Sequence, residues 1–136
     1  MSDHQVYLDA LDASLVAIER WLSGVDATPA TPAALDALLA PFSAHFTMIA
    51  TDGRALDRGG LHALFAALAG AKPGLRILLS ERRVIAADAS HAVLTYREAQ
   101  HAAHGELPAR RSTAVFERDA HGIVRWVHLQ ETFCAA

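Results

Sequence analysis

The sequence predicts an α+β fold, with three helices in the first half of the chain and an antiparallel sheet in the second. Two observations support this prediction. Up to about residue 70, leucines recur at spacings of three and four residues, which is typical of amphipathic helices. From residue 75 onward, four segments rich in β-branched and aromatic residues alternate with short turn sequences, which is typical of a meander of strands.

Length and composition limit the class of protein. The 136 residues are enough for one domain, residues 1–136, and a content of 52% hydrophobic and 20% charged residues excludes a disordered chain. A net charge of −3 argues against a nucleic-acid partner. We find no apolar run long enough to span a membrane and no signal-peptide pattern, so we expect no membrane contact and a cytoplasmic location. The single cysteine, Cys134, excludes an internal disulfide.

The first two helices are predicted from their start signals. Ser2 and Gln5 have the spacing of a capping box. The helix that follows carries one apolar stripe and ends near Gly24; the stripe comprises Leu8, Leu11, Leu15, Ile18 and Leu22. After a linker over 27–31, Thr31 and Pro32 form the start of a second, shorter helix.

The third helix and the strands follow in order. Asp57 is a suitable cap for a helix that ends near Gly70. A first strand, Phe42–Ala50, precedes that helix. The later strands are predicted at Leu75–Ala86, Ala92–Ala102, Leu107–Arg118 and Ile123–Phe133.

The hairpin turns predict which side chains share a face of the sheet. If the turns are tight and centred on His104-Gly105 and Ala120-His121, Arg97 lies opposite Ser112 and Arg110 lies opposite Glu131. One face then carries Arg97, Arg110, Ser112 and Glu131. The other face is largely apolar, so we expect a homodimer contact there, formed by Leu94, Tyr96, Val115, Trp126 and His128.

These features resemble a known family. Three helices, a long meander and the run YREAQ…RRSTAVFERDAHGIVRWVHLQET are similar to the nuclear transport factor 2-like superfamily, which includes small SnoaL-like proteins. The likeness is greatest to the association domain of calcium/calmodulin-dependent kinase, whose final strand ends in a His-x-His-x-Ser-like run; here the run begins at His128. The resemblance implies a cone-shaped fold, in which the three helices pack on a strongly curved, mostly antiparallel sheet around a pocket. It also implies dimers through the sheet.

The resemblance and the register together suggest a ligand site. In the kinase domain arginines line the pocket; Arg97 matches one of them, while the other two positions are Ala114 and Glu131. We therefore expect a mixed-charge site in a cavity of roughly 300–1,000 Å³. Its predicted ligand-binding residues are Arg97, Glu131, Arg110, Ser112 and, at the pocket mouth, His45. A structural ion pair between Arg97 and Glu131 is the alternative reading.

The chemistry of this site favours binding over catalysis. Two flanking arginines should lower the pKa of Glu131, which would make it a poor general base. A metal at His101-x-x-His104 lacks a third ligand, and no cofactor motif is present, so we expect neither a metal nor a cofactor.

We therefore predict that the protein binds a compact, partly apolar small molecule with a carboxylate or carbonyl group. One alternative is a cofactor-independent isomerase, dehydratase or cyclase that uses a pocket carboxylate or histidine. The other is an oligomerisation module.

Overall fold

The computed structural model describes residues 2–25 and 30–135, and it confirms the α+β fold. The predicted linker 27–31 lies largely outside the described residues. The elements in chain order are α1 (Asp3–Ser23), α2 (Pro32–Leu39), β1 (Phe42–Ile49), β2 (Ala55–Asp57), α3 (Arg58–Leu68), β3 (Arg76–Ala87), β4 (His91–Ala102), β5 (Gly105–Arg118) and β6 (Val124–Phe133).

The strands form one mixed sheet in the order β2-β1-β6-β5-β4-β3. All neighbouring strands are antiparallel except β1 and β6, which are parallel. The helices cover one face of this sheet, as expected of the cone-shaped fold. The short strand β2 was not predicted, because three residues are too few for a recognisable alternation.

The helix starts follow the predicted side-chain caps. The Ser2 hydroxyl accepts a hydrogen bond from the backbone N–H of Gln5 at 3.2 Å. The Gln5 side chain, however, donates to Asp9 instead of completing the box. Thr31 caps α2 through the N–H of Ala34, with Pro32 in the first turn.

The core lies between α1 and the sheet and is centred on aromatic rings. Trp126 stacks on Phe42 with ring centroids 5.4 Å apart, and it packs against Phe116 at 4.6 Å. The indole N–H of Trp126 donates to Ser14 of α1 at 2.9 Å, so its one polar atom is satisfied inside the core. Trp126 is therefore a core residue, and its predicted place on an outer dimer face is wrong.

The predicted register between β4 and β5 is wrong by one residue. Ala102 pairs with Gly105, so the hairpin turn lies one residue earlier than the centre we assumed. A bulge then places two residues of β5, Pro108 and Ala109, opposite one residue of β4. Proline cannot donate to the ladder, which is why strands bulge at such positions. The net result pairs Arg97 with Arg111.

The slip turns the side chains of β4 to the face opposite the predicted one. Tyr96 lies opposite Ser112, and Glu98 lies opposite Arg110, both on the inner side. Leu94, Tyr96 and Glu98 are at most 4% exposed. Leu94 and Tyr96 are thus removed from the predicted dimer face, because they pack inside the cone.

The register between β5 and β6 is shifted by two residues, which leaves the faces unchanged over most of the pair. Ser112 pairs with Glu131 and Ala114 with Leu129. A bulge at Val127 shifts the pairing by one residue beyond this point, so that Phe116 pairs with Trp126 and the side chains of β6 exchange faces there. Glu131 therefore points inward as predicted, while Trp126 does not point outward. Within the described residues, no helix combines the length and apolar character needed to cross a membrane.

Candidate ligand-binding site

The helices and the inner face of the sheet enclose a cavity of about 150 Å³, which we call the cone cavity. One wall is apolar and comes from α1, β1 and α3, with Leu15, Phe46 and Phe65 among its residues. The other wall is polar and consists of Lys72, Tyr96, Glu98, Gln100, Arg110 and Glu131. The cavity is smaller than the 300–1,000 Å³ that we expected from the sequence.

Arg110 lies on β5, between two strands that each carry a glutamate of the polar wall. Its Nη1 is 3.4 Å from Oε1 of Glu131 on β6, and Glu98 of β4 is its backbone partner on the other side. The guanidinium also lies over the ring of Phe133, 5.5 Å from the ring centroid. Arg110 is held in place by this ring, although its contact with Glu131 is long for a charged hydrogen bond.

Two buried polar atoms of this wall have no hydrogen-bond partner within the described part of the chain, namely Nε of Arg110 and Oε1 of Gln100. The amide nitrogen of Gln100 donates to Glu98, so its oxygen is the end left open. Leaving a donor and an acceptor unpaired in a buried site costs free energy. A ligand that offers an acceptor to Arg110 and a donor to Gln100 would recover it.

The pKa of Glu131 is raised, and the predicted lowering is wrong. Burial is the largest cause, and the Glu98 carboxylate adds to it, while Arg110 opposes both effects. The prediction relied on two arginines around Glu131, but Arg97 lies on the other face of the sheet and Arg110 is the one arginine it contacts within residues 2–25 and 30–135. A carboxyl group with a raised pKa is suited to proton transfer closer to neutral pH.

Lys72 and Tyr96 complete the polar wall. Burial and the nearby Arg110 lower the pKa of Lys72, whereas Glu98 and Glu131 act in the opposite direction. The pKa of Tyr96 is strongly raised, chiefly by burial, so its phenol stays protonated. The cavity thus places two carboxyl groups, a guanidinium, an amine and a phenol opposite its apolar wall.

Three of the five predicted ligand-binding residues lie inside the cone. Arg110 and Glu131 line the cavity and meet each other, while Ser112 is buried beside them without reaching the cavity wall. Arg97 is on the outer face because of the slip in register. His45 is exposed on β1, since an irregularity between Phe42 and Thr47 turns Phe46 and Met48 inward instead. The proposed roles of Arg97 and His45 therefore lose their geometric basis.

The sequence analysis missed Glu98, Gln100 and Lys72 as cavity residues. Glu98 and Gln100 were assigned to the outer face because the bulge at Pro108 and Ala109, which the sequence pattern did not predict, shifts the pairing of β4 with β5 by an odd number of residues. The only feature of the sequence that sets Lys72 apart is that it is the single lysine, and this feature does not predict a place in the cavity.

The outer face of the sheet keeps part of the predicted dimer surface. Val115 and His128 lie there, paired with each other across β5 and β6. Nδ1 of His128 is 2.8 Å from the Thr47 hydroxyl on the same face. The surface is more polar than predicted, because Leu94, Tyr96 and Trp126 are in the core.

Two other kinds of site, a second hollow and a metal centre, are less well supported. A larger hollow of about 480 Å³ lies outside the cone between α1 and α2, but its described lining is mainly alanine and glycine. Among residues 2–25 and 30–135, no three His, Cys, Asp or Glu side chains come close enough to hold a metal ion. The cone cavity is thus the better candidate site, although it is the smaller space.

Comparison with known proteins finds a solved structure that is similar to this chain in both sequence and fold. A protein of unknown function from Pseudomonas aeruginosa, described as NTF2-like, is 40% identical; the match covers 96% of this chain and 99% of that one, with a TM-score of 0.87. No protein-family profile and no curated protein sequence matches the chain.

More distant structures share the fold alone. A protein from Thiobacillus denitrificans that resembles the association domain of calcium/calmodulin-dependent protein kinase type II is 21% identical over 93% of both chains, with a TM-score of 0.70. An NTF2-like protein with a cystatin-like fold from Novosphingobium aromaticivorans is 14% identical over 98% of this chain and 83% of that chain, with a TM-score of 0.72.

Proposed function

The chain belongs to the NTF2-like family, and from that premise we propose that its cone cavity binds a compact, partly apolar molecule with a carbonyl or carboxylate oxygen. The observation that carries the proposal is the buried Nε of Arg110 in the polar wall of the cavity, which has no hydrogen-bond partner among the described residues. A carbonyl or carboxylate oxygen is the group that a guanidinium N–H recognises best.

The size of the cavity limits the ligand to about one ring. A cavity of about 150 Å³ in another protein accommodates benzene, and the cone cavity has a similar volume of about 150 Å³. Its apolar wall of leucine and phenylalanine side chains suits the ring, and its charged wall suits a single oxygen-bearing substituent. A hydroxyl or amide N–H on the ligand would also pair with Oε1 of Gln100.

Thermal melting with three ligands of the same size tests this proposal. Benzamide carries a neutral carbonyl, benzoate carries a carboxylate, and benzylamine carries a cation on the same ring. We expect benzamide and benzoate to raise the melting temperature in a concentration-dependent way, because a ligand that binds the native state alone stabilises it. No response to either oxygen ligand, or an equal response to benzylamine, would overturn the proposal.

A second candidate is a cofactor-independent enzyme that moves a proton on a bound carbonyl compound. The raised pKa of Glu131, together with its position beside the Arg110 guanidinium, favours it. In this alternative Glu131 transfers the proton, and Arg110 stabilises the developing negative charge on the carbonyl oxygen.

Exchange of α-hydrogens in deuterated water separates catalysis from binding. We would follow the methylene protons of phenylacetone by nuclear magnetic resonance with catalytic amounts of protein. Exchange above the buffer rate that is lost in Glu131→Gln supports the enzyme. Binding without exchange supports the first candidate.

A further inference from the structure

The sequence contains eleven arginines and one lysine, and that lysine lines the cone cavity. Lys72 lies in the turn between α3 and β3. Its backbone N–H donates to the carbonyl of Leu22 in α1 at 2.8 Å, and its own carbonyl accepts from the N–H of Leu75 at 3.1 Å. Both backbone polar groups of Lys72 are therefore hydrogen-bonded. They fix the residue in the turn, and its side chain lines the cavity.

The Lys72 ammonium is not held by a structural contact in the described part of the chain. No hydrogen bond or ion pair joins it to another residue in the described ranges 2–25 and 30–135, although two carboxylates line the same cavity. An ordinary structural role would be an ion pair with one of them, and such a pair is not formed. The amine is therefore available to a molecule in the cavity.

The surroundings favour the neutral, nucleophilic form of this amine. Lys72 is half-buried, and burial together with Arg110 lowers its pKa. Desolvation and a neighbouring cation are two established ways by which proteins activate a lysine toward carbonyl groups. Glu98 and Glu131 moderate the effect, and they also supply groups for the proton transfers that such a reaction needs.

We propose that Lys72 condenses with an aldehyde or ketone bound in the cone cavity to form a Schiff base. This inference rests on the proposed function, because the carbonyl group that Arg110 recognises would be the group that Lys72 attacks. It adds a covalent step and a chemical class of ligand, namely reactive monocyclic aldehydes and ketones.

The step balances without a further reactant. The Lys72 nitrogen attacks the carbonyl carbon, the carbonyl electron pair moves to oxygen, and a proton shifts from nitrogen to oxygen to give a carbinolamine. Glu131, with its raised pKa, donates a proton to the hydroxyl, which leaves as water while the C=N bond forms. Hydrolysis by the reverse path releases the ligand unchanged.

Reductive trapping tests this inference directly. The protein is incubated with benzaldehyde and cyanoborohydride at neutral pH, and the modified peptides are quantified by mass spectrometry. Because Lys72 is the single lysine, the α-amino terminus is the only other amine to compete. The Arg83→Lys variant supplies a matched reference, since Arg83 is exposed on β3 and the introduced lysine is an ordinary surface amine.

We expect Lys72 to be labelled about tenfold faster than the lysine introduced by Arg83→Lys, because a lowered pKa leaves more free amine. Benzoate should slow labelling at Lys72 and leave the reference lysine unaffected. Lys72→Arg, which keeps a cationic side chain but removes the amine, should lose the label.

Equal labelling of the two lysines, or labelling of Lys72 that benzoate does not slow, would overturn the inference. If benzamide still raises the melting temperature in that case, the proposed binding function stands alone. If neither labelling nor stabilisation occurs, both fail.

Discussion

Nη1 of Arg110 lies 3.4 Å from Oε1 of Glu131, and the two side chains are only 17% and 11% exposed. This pair is buried yet loosely formed. A buried ion pair of poor geometry recovers little of its desolvation cost. The raised pKa of Glu131 has the same cause, because burial disfavours the charged carboxylate more than Arg110 favours it.

Replacing Glu131 by glutamine should therefore alter the pH dependence of stability more than stability itself. From the sequence alone we expected a loss of about 3–5 kcal/mol. In the structure the amide oxygen can still accept from Arg110, whose Nη1 lies 3.4 Å from the carboxyl oxygen that it would replace, so we now expect a change of no more than about 1 kcal/mol.

The sign of the pH effect follows from the raised pKa. The native state binds this proton more tightly than the unfolded chain, so the contribution of Glu131 is most favourable below its ordinary pKa of 4.5. It is lost as the pH rises through the raised native pKa. Glu131→Gln should flatten that decline in denaturation curves measured from pH 4 to 8. Glu81→Gln, which removes the exposed partner of Arg111, is the control and should keep the slope of the parent.

Arg110→Met should abolish the stabilisation by benzamide and benzoate. The substitution removes the N–H donors of the cavity and keeps a side chain of similar length. Arg97→Met is the matched control, because Arg97 lies one strand away on the outer face. It should leave the response to both ligands unchanged, as measured by thermal melting. A loss of response in Arg97→Met, with Arg110→Met unaffected, would mean that ligand recognition occurs on the outer face.

The sequence predicted the pair of Arg110 and Glu131 despite an inexact register. The shift between β5 and β6 is two residues, and a two-residue shift returns each side chain to its original face. The one-residue slip of β4 had the opposite result, since it exchanged Arg97 for Glu98 in the cavity. Helix starts were more predictable, because a cap such as Thr31 depends on residues within one turn.

The bulges were beyond the reach of the sequence pattern. One bulge lies at Pro108 in β5 and the other at Val127 in β6. The neighbouring strands and the core packing determine where each extra residue is placed, and these partners are distant in sequence. Trp126 illustrates the consequence: its place is decided by Ser14 and the rings of Phe42 and Phe116, all distant in sequence.

Ser14→Ala should destabilise the protein by about 1–3 kcal/mol, the cost of leaving a buried N–H without an acceptor. The hydroxyl of Ser14 is the acceptor for the Trp126 indole, and both residues are buried. A double-mutant cycle with Trp126→Phe isolates the effect, because phenylalanine has no N–H to leave unsatisfied. Ser14→Ala should then cost less in the Trp126→Phe background, as measured by urea denaturation. Equal costs in both backgrounds would assign the loss to packing.

A homodimer through the outer face of the sheet remains our expectation, with a changed set of contact residues. Val115, His128 and Thr47 lie on that face, and exposed Thr113 lies near its centre. Thr113→Arg places a charge there without disturbing the core, so it should convert the dimer to a folded monomer. Val16→Arg, at an exposed position on α1, is the control and should remain dimeric. Light scattering during gel filtration measures both masses, with circular dichroism to verify folding. A monomeric parent at micromolar concentration would refute the dimer, and dissociation by Val16→Arg alone would move the contact to the helices.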